Sequence, residues 1–490
     1  MPFVRAPRER GVLAIVLHTH MPYVEGFDTW PFGEEWLWDA MAGSYLPLLD
    51  LLYRGAPLTL SLTPVLCDQL AAPGVPERFA AFVEGVCRET HQKDITGLRD
   101  AGEQELAREL ERSWGDYAAG LERLRGRGGD MIRAMSPHAQ WTSSATHAIL
   151  PLLATDAGVR AQVQVGVEAH RARFGAGGWR GGFWLPECAN APWLQTALAN
   201  AAVGSVCVEL TDRFGLGASE HLRPLVDEAG VVLVPIDRAT IALVWSDGGY
   251  PASGAYRDFH HHTVHQHKPW NNDGGAYDHA AALALVKDHA ADFVGRTIAR
   301  LSDAGAGLPG GGLAVFAVDT ELFGHWWYEG VAWLEAVVEE CSRQGLELAR
   351  LDDVLERHEP VALKEAQGSG AEELHGGGDW QASSWGRDGD LSTWSGPAVA
   401  DMAFAARAAE LEVLAAGSRA SSVAVRELLA LQASDWAFMV SRGGAAPYGR
   451  ERFEGHRQAL ARALATAQPD RDSGPRNLAV YADRAALFTG

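Results

Sequence analysis

The sequence predicts an α/β fold, a parallel sheet covered by helices in the manner of an α/β barrel, followed by an all-helical C-terminal domain. Three observations carry this expectation. Short apolar β-like runs alternate with helix-like stretches over roughly the first 360 residues, as repeated strand–helix crossovers require. His18, His20, Glu187 and Asp319 all fall just after such runs. In an α/β barrel the strand ends converge on one mouth, where the active site lies. Beyond residue 360 the strand signals give way to long helical segments.

The elements follow in order. Gly11–Leu17 is an apolar run ending in His18-Thr19-His20, and Leu58–Leu62 is a second, ending at Thr63-Pro64. Glu103–Arg127 is charged and amphipathic and too long for an ordinary connection, which places a helical insertion near 85–135. Phe183–Leu185 is a short strand ending at Pro186-Glu187. Val206–Leu210, Val231–Ile236 and Ile241–Trp245 are β-like, and Asp278–Leu301 is helical. Leu313–Val318 is a buried strand ending at Asp319. The glycines of Pro309–Gly312 precede a strand rather than joining a strand to a helix, so they make a turn, not a phosphate loop. Residues 1–360 therefore form the strand-containing domain. Ala362–Gly378 connects it to a helical domain over 361–490, with helices expected at Pro397–Gly417, Ser421–Met439 and Phe453–Ala467.

Composition narrows the function. The 490 residues are 47% hydrophobic, enough for a large core, and 63 acidic against 42 basic residues give a net charge of −21. A surface this acidic repels phosphate backbones and anionic lipid heads, which argues against nucleic acid and membrane as partners. Five cysteines, odd in number and widely spaced, argue against a disulfide framework and a cysteine zinc site. Val12–Leu17 is too short for a signal-peptide core, and no stretch is apolar enough to span a bilayer. A reduced, cytoplasmic compartment is expected. The 17 tryptophans either fill cores or offer flat platforms for sugar faces; their positions decide.

Four segments concentrate chemistry. Leu17-His18-Thr19-His20-Met21-Pro22-Tyr23 offers two histidines at a strand end, as metal ligands, hydrogen-bond donors to a sugar, or a structural pair. Gly181–Asn190 sets Glu187 in apolar surroundings, where an isolated charge is costly unless it has a task. Val318–Trp327 packs two acids, a histidine and two tryptophans at a strand end; a helix cap would explain Asp319 but not the Gly-His-Trp-Trp that follows. Gly378–Trp394 places Trp380, Trp385 and Trp394 in a Gly/Ser/Asp-rich loop, a composition that favours a glucan-stacking wall over core packing. The histidines at 260, 261, 262, 265 and 267 read as a polar, solvated loop. Paired carboxylates suit glycosyl transfer: one attacks the anomeric carbon or stabilises the oxocarbenium ion, and the other protonates the departing oxygen.

Together these segments resemble glycoside hydrolase family 57 and, within it, its α-1,4-glucan branching enzymes. Leu17–Val24 is similar to the family's first signature, and Trp30-Pro31-Phe32-Gly33-Glu34-Glu35-Trp36 continues the branching-enzyme pattern. Thr63-Pro64 and Thr142–Leu153, with His147, fit further stretches. Trp184–Glu187 resembles the nucleophile signature, Asp319–Trp327 that of the general acid/base, and Gln432–Trp436 a helical-domain signature. The resemblance implies an incomplete (β/α)7 barrel with a helical insertion and a helical domain that completes the cleft. It implies a retaining mechanism without metal or organic cofactor. Glu187 would be the nucleophile and Asp319 the acid/base. His18, His20, Trp30, Trp36, His147, Trp184, His325, Trp385, Trp394 and Asp435 would bind an α-1,4-glucan donor or acceptor.

The family's mobile loop carries a tyrosine that shields the site from water, which makes Tyr250 its counterpart here. Its surroundings, Gly249-Tyr250-Pro251-Ala252-Ser253, have Ala-Ser where the pattern has Gly-Asp, and the stretch from Phe259 to Asp278 is shortened. This bears on branching against hydrolysis. An α-amylase-like hydrolase or a 4-α-glucanotransferase would use the same pair. A metal-dependent polysaccharide deacetylase would use His18 and His20, without an evident Asp pair near the first strand to complete its site. A non-catalytic glucan-binding protein would explain the tryptophans but not two carboxylates in their signatures.

Overall fold

A computed structural model describes residues 11–26, 33–366, 382–466, 475–482 and 485–488. Ten strands form one curled sheet: β1 Val12–Thr19, β2 Thr59–Leu62, β3 Ala139–Ser143, β4 Gly182–Trp184, β5 Ser205–Val208, β6 Leu225–Val226, β7 Val232–Pro235, β8 Leu313–Asp319, β9 Glu347–Leu348 and β10 Val361–Ala362. Their order is β10-β6-β7-β5-β4-β3-β2-β1-β8, with β9 beside β1. Every pairing is parallel except β6 with β7. The run from β7 to β8 is the incomplete (β/α)7 barrel, and a hydrogen bond from Asp237 N–H to the Val315 carbonyl (2.9 Å) draws its two ends together.

The strands form where apolar runs can be covered on both faces. All of β1 is buried, as is β8 up to Val318, and such strands read as continuous hydrophobic sequence rather than alternation. Leu13, Ile15, Leu17, Val315 and Phe316 are enclosed, each contributing roughly 1.5–3 kcal/mol relative to exposure. The helices Arg88–Asp100 and Gln104–Gly126 pack together as the insertion. The C-terminal helices Ala400–Ala416, Ser422–Leu431, Ser434–Arg442 and Ala446–Ala465 share a second core with Tyr23, Val65, Ala145 and Val165 of the barrel. Among the described residues no helix is long and apolar enough to cross a membrane.

Three expectations are corrected, and one strand is added. Ile241–Trp245 is not a strand: Arg238–Ile241 is a helical turn that continues as turns through Trp245. Ile241 and Val244 are buried while Ala242 and Leu243 between them are not, so the apolar spacing is that of a helix. Ser421–Met439 is two helices, because Ser434 N–H leaves the ladder to bond the His147 carbonyl (3.1 Å). Val361–Ala362 still pairs with the sheet, so the strand signal runs past residue 360. β3 was not expected, since Gln140, Thr142 and Ser143 dilute its apolar pattern.

Candidate active site

The parallel register aligns the strand ends at one level. His18 lies beside Ser61 of β2 and Asp319 of β8, and Ser143 of β3 beside Trp184 of β4. Each strand then delivers its next residues to the mouth. His147 (φ 61°), Glu187 (φ 59°) and Cys188 (φ 50°) adopt left-handed backbone. Such conformations cost of order 1–3 kcal/mol in non-glycine residues and cluster at functional sites. Here the turn at Glu187 swings its carboxylate from the strand line into the cleft.

A column of rings floors the cleft. Trp184 stacks on His18 (centroids 4.6 Å apart, 12° between planes), and His147 stacks on His20 (3.8 Å, 19°). His18 Nε2 and His147 Nε2 are hydrogen-bonded across 2.9 Å, His18 Nδ1 meets Ser61 Oγ (3.3 Å), and His147 Nδ1 meets Ser434 Oγ (2.8 Å). Burial, then the neighbouring imidazoles, lowers both His18 and His147 well below the ordinary histidine value, so both are neutral. Burial pulls His20 down too, but Asp435 (His20 Nε2 to Oδ1, 2.9 Å), Glu321 and Glu187 outweigh it and raise it. His20 is the most basic of the three imidazoles.

The carboxylates line the walls. Trp385 Nε1 donates to Glu187 Oε2 (2.7 Å), and His147 Nδ1 lies 4.0 Å from Oε1. Burial pushes Glu187 up to about 7, with Asp435 adding to the rise and Trp385 and His20 opposing it. Asp319 is open to the cleft and makes no side-chain cap bond. Despite that opening, the surrounding walls and then the charges of Glu187, Glu321 and Asp435 raise it well above the carboxylate range. Glu321 Oε1 accepts from Tyr45 Oη (2.5 Å) and His20 N–H (3.1 Å), and burial pushes it up to about 7. Gly324 (φ 94°) permits this arrangement: a side chain there would collide with the Gly43 carbonyl, and the close approach brings Tyr45 to Glu321. Two carboxyls, Glu187 and Asp319, face one cleft, both with proton affinities raised above the ordinary carboxylate range.

The structure thus gathers His18, His20, His147, Trp184, Glu187, Asp319, Trp385 and Asp435. Others lie elsewhere. Trp36 packs edge-on against Tyr448 (5.6 Å) in the seam between barrel and helices. Trp394 is not a stacking wall: it is 3% exposed and packs on Ile149 and Ala189. His325 turns to Asp39 (Nδ1 to Oδ2, 2.6 Å). Tyr250 does not reach the carboxylates; its hydroxyl donates to Asp292 (2.7 Å) and its ring stacks on His289 (4.6 Å). Trp30 and Trp380 lie outside the described residues. His260, His261 and His262 are exposed as expected, whereas His265 and His267 are partly buried: His265 binds Asp94 (2.6 Å) and His267 binds Thr90 (3.1 Å), docking their loop on the insertion. Tyr45 carried no motif, Ser434 stood in the Gln432–Trp436 signature without a role, and Glu321 was visible only as the second acid after Asp319.

His20, His147 and Asp435 come within 4.8 Å of one another and are the group of metal-capable side chains found among the described residues. The two rings are stacked and nearly parallel, whereas imidazole lone pairs lie in the ring plane, so both cannot aim at one ion without rotating. The ring nitrogens are engaged with Thr63, Asp435, His18 and Ser434. This arrangement fits a hydrogen-bonded floor rather than a metal centre.

A barrel-mouth cleft with a pair of carboxyls, floored by imidazoles and flanked by indoles, defines an enzyme of the glycoside-cleaving class. Residues 141–367 match glycosyl hydrolase family 57, and residues 397–489 match "1,4-alpha-glucan branching enzyme, C-terminal". A Mycobacterium tuberculosis protein named "Probable 1,4-alpha-glucan branching enzyme" is 31% identical, over 94% of this chain and 93% of its own. A branching enzyme of this family from Thermococcus kodakaraensis, solved with glucose, superposes with a TM-score of 0.84 at 27% identity, covering 98% of this chain and 96% of that one. Its counterpart from Pyrococcus horikoshii gives 0.83 at 28%, covering 96% and 94%. The chain belongs to glycosyl hydrolase family 57.

Proposed function

We infer that the chain is a 1,4-α-glucan branching enzyme, cleaving α-1,4 linkages and passing the released chain to a 6-hydroxyl of a second glucan. The observation that carries this reading is the carboxyl pair in one cleft: Asp319 and Glu187 face each other's charge, and the Trp385 indole N–H engages Glu187 Oε2 (2.7 Å). Relatives of near-complete length bear that name. In the mechanism, Glu187 attacks the anomeric carbon while Asp319 protonates the leaving oxygen, leaving a glucosyl ester on Glu187. Asp319, now a base, removes the proton of the incoming 6-hydroxyl, and the new bond forms with retention. Residues 1–360, with the insertion near 85–135, act as the catalytic barrel. Residues 361–490 complete the cleft, a division supported by the reach of Trp385, Ser434 and Asp435 into it. All five cysteines are free thiols, as a reducing compartment would keep them, which supports a cytoplasmic site of action.

One observation favours a second reading. Tyr250 is tied to Asp292 on the helix His279–Ala304 and does not cover the pair, and an ester open to water hydrolyses. Proton NMR of amylose incubated with the purified protein, alongside a reducing-end assay, separates the two. Branching gives new α-1,6 anomeric signal with few new reducing ends. Reducing ends without α-1,6 signal would make the protein an α-amylase-like hydrolase.

A further inference from the structure

The segment carrying Trp385 is stitched to the loop that carries Glu187. Asn190 and Ser383 exchange backbone hydrogen bonds (2.8 and 2.9 Å), and Trp385 N–H donates to the Glu187 carbonyl (3.0 Å) while its indole N–H donates to Oε2 (2.7 Å). Packing alone does not aim that indole: the ring is half-buried and meets Trp184 at a loose tilt (5.1 Å, 58°). What holds it comes from the neighbouring strand ends. Arg238, opening the helical turn after β7, donates from Nη2 to the Trp385 carbonyl (3.2 Å), and its Nε lies 2.5 Å from Oε2 of Glu209. Glu209, one residue beyond β5, is 4% exposed, and its other oxygen accepts from Thr211 N–H (2.7 Å). The ends of β5 and β7 are thereby linked, through one guanidinium and one peptide group, to the carboxylate of Glu187.

A buried carboxylate is costly unless it is paired, and replacing such a pair by apolar side chains is often neutral or stabilising. This one is spent on the carbonyl of Trp385, the residue whose indole hydrogen bond orients Glu187. We propose that Glu209 and Arg238 are positioning residues for the nucleophile: they fix the Trp385 peptide so that its indole N–H engages Oε2, leaving Oε1 turned toward the anomeric carbon. The proposal rests on the reading of Glu187 as nucleophile. Neither residue touches substrate; both act through Trp385.

The test is a mutant cycle on amylose, read as the pH dependence of kcat/KM. Trp385→Phe keeps a ring and removes the donor. Losing a hydrogen bond to the charged form raises the affinity of Glu187 for its proton, so the acid limb moves up by about one pH unit and kcat falls about tenfold or more. Arg238→Ala moves the limb the same way by less, and Arg238→Lys recovers part of the shift. In Trp385→Phe/Arg238→Ala the limb stays where Trp385→Phe alone puts it, because Arg238 acts through the indole. Independent, additive shifts in the double variant would overturn the proposal, as would an Arg238→Ala protein with a lowered Tm and an unmoved limb. Full activity in Glu187→Gln would instead remove the reading beneath it, an outcome distinct from both.

Discussion

Glu321→Gln isolates the electrostatics of the pair. The amide keeps the volume of Glu321 and an oxygen to accept from Tyr45 and His20 N–H, so the fold around it persists. What disappears is a negative charge. That charge is among the groups raising Asp319, behind burial and Glu187, and is not among those acting on Glu187. Burial pushes Glu321 up to about 7, so it is ionised on the alkaline side of the profile, the limb that the general acid Asp319 sets in the proposed mechanism. Removing a like charge lowers the affinity of Asp319 for that proton. A nearby like charge shifts a carboxyl by about one unit or more, and one unit is 1.36 kcal/mol. The bell-shaped profile of kcat/KM, measured on amylose at constant ionic strength, should therefore keep its acid limb near 7 and lose about one unit from its alkaline limb. An unmoved alkaline limb, or a shifted acid limb with the alkaline one fixed, would refute the division of roles between Asp319 and Glu187.

The remaining predictions concern single side chains. Glu187→Gln should lower kcat by about 10⁴-fold with Tm unchanged, since the ester can no longer form; activity within tenfold of the parent would contradict the mechanism. Tyr250→Phe removes only the bond to Asp292 and should cost about 1 kcal/mol of stability in urea unfolding. The ratio of branch points to reducing ends should stay fixed, and a fall in that ratio would mean that Tyr250 visits the cleft during turnover. Trp394→Ala opens a cavity beneath the loop and should cost about 3–5 kcal/mol, seen as a lowered Tm; a normal Tm with weakened glucan binding would restore Trp394 as a stacking surface.

The sequence by itself determined the class of fold and singled out the two carboxyls that the structure brings to one cleft. An apolar run that ends in a carboxylate marks both a buried parallel strand and the side chain it delivers to the barrel mouth, and β8 with Asp319 and β4 with Glu187 follow that rule. Local pattern carries this information because strand periodicity and strand ends are local properties. Tertiary structure decided whatever depends on distant partners. Asp435 meets His20 across 415 residues of chain, and Trp385 meets Glu187 across 198. Trp394 and Trp385 sit in one polar loop and look alike in sequence, yet one is buried against Ile149 and the other holds the Glu187 carboxylate. Tyr250 occupies its motif position but spends its hydroxyl on Asp292. The proton affinities of Glu187, Asp319 and Glu321 likewise arise from burial and from charges brought together by folding. A residue's type fixes what it can do, but desolvation and the identity of its neighbours fix what it does, and both are set by packing between segments remote in the chain.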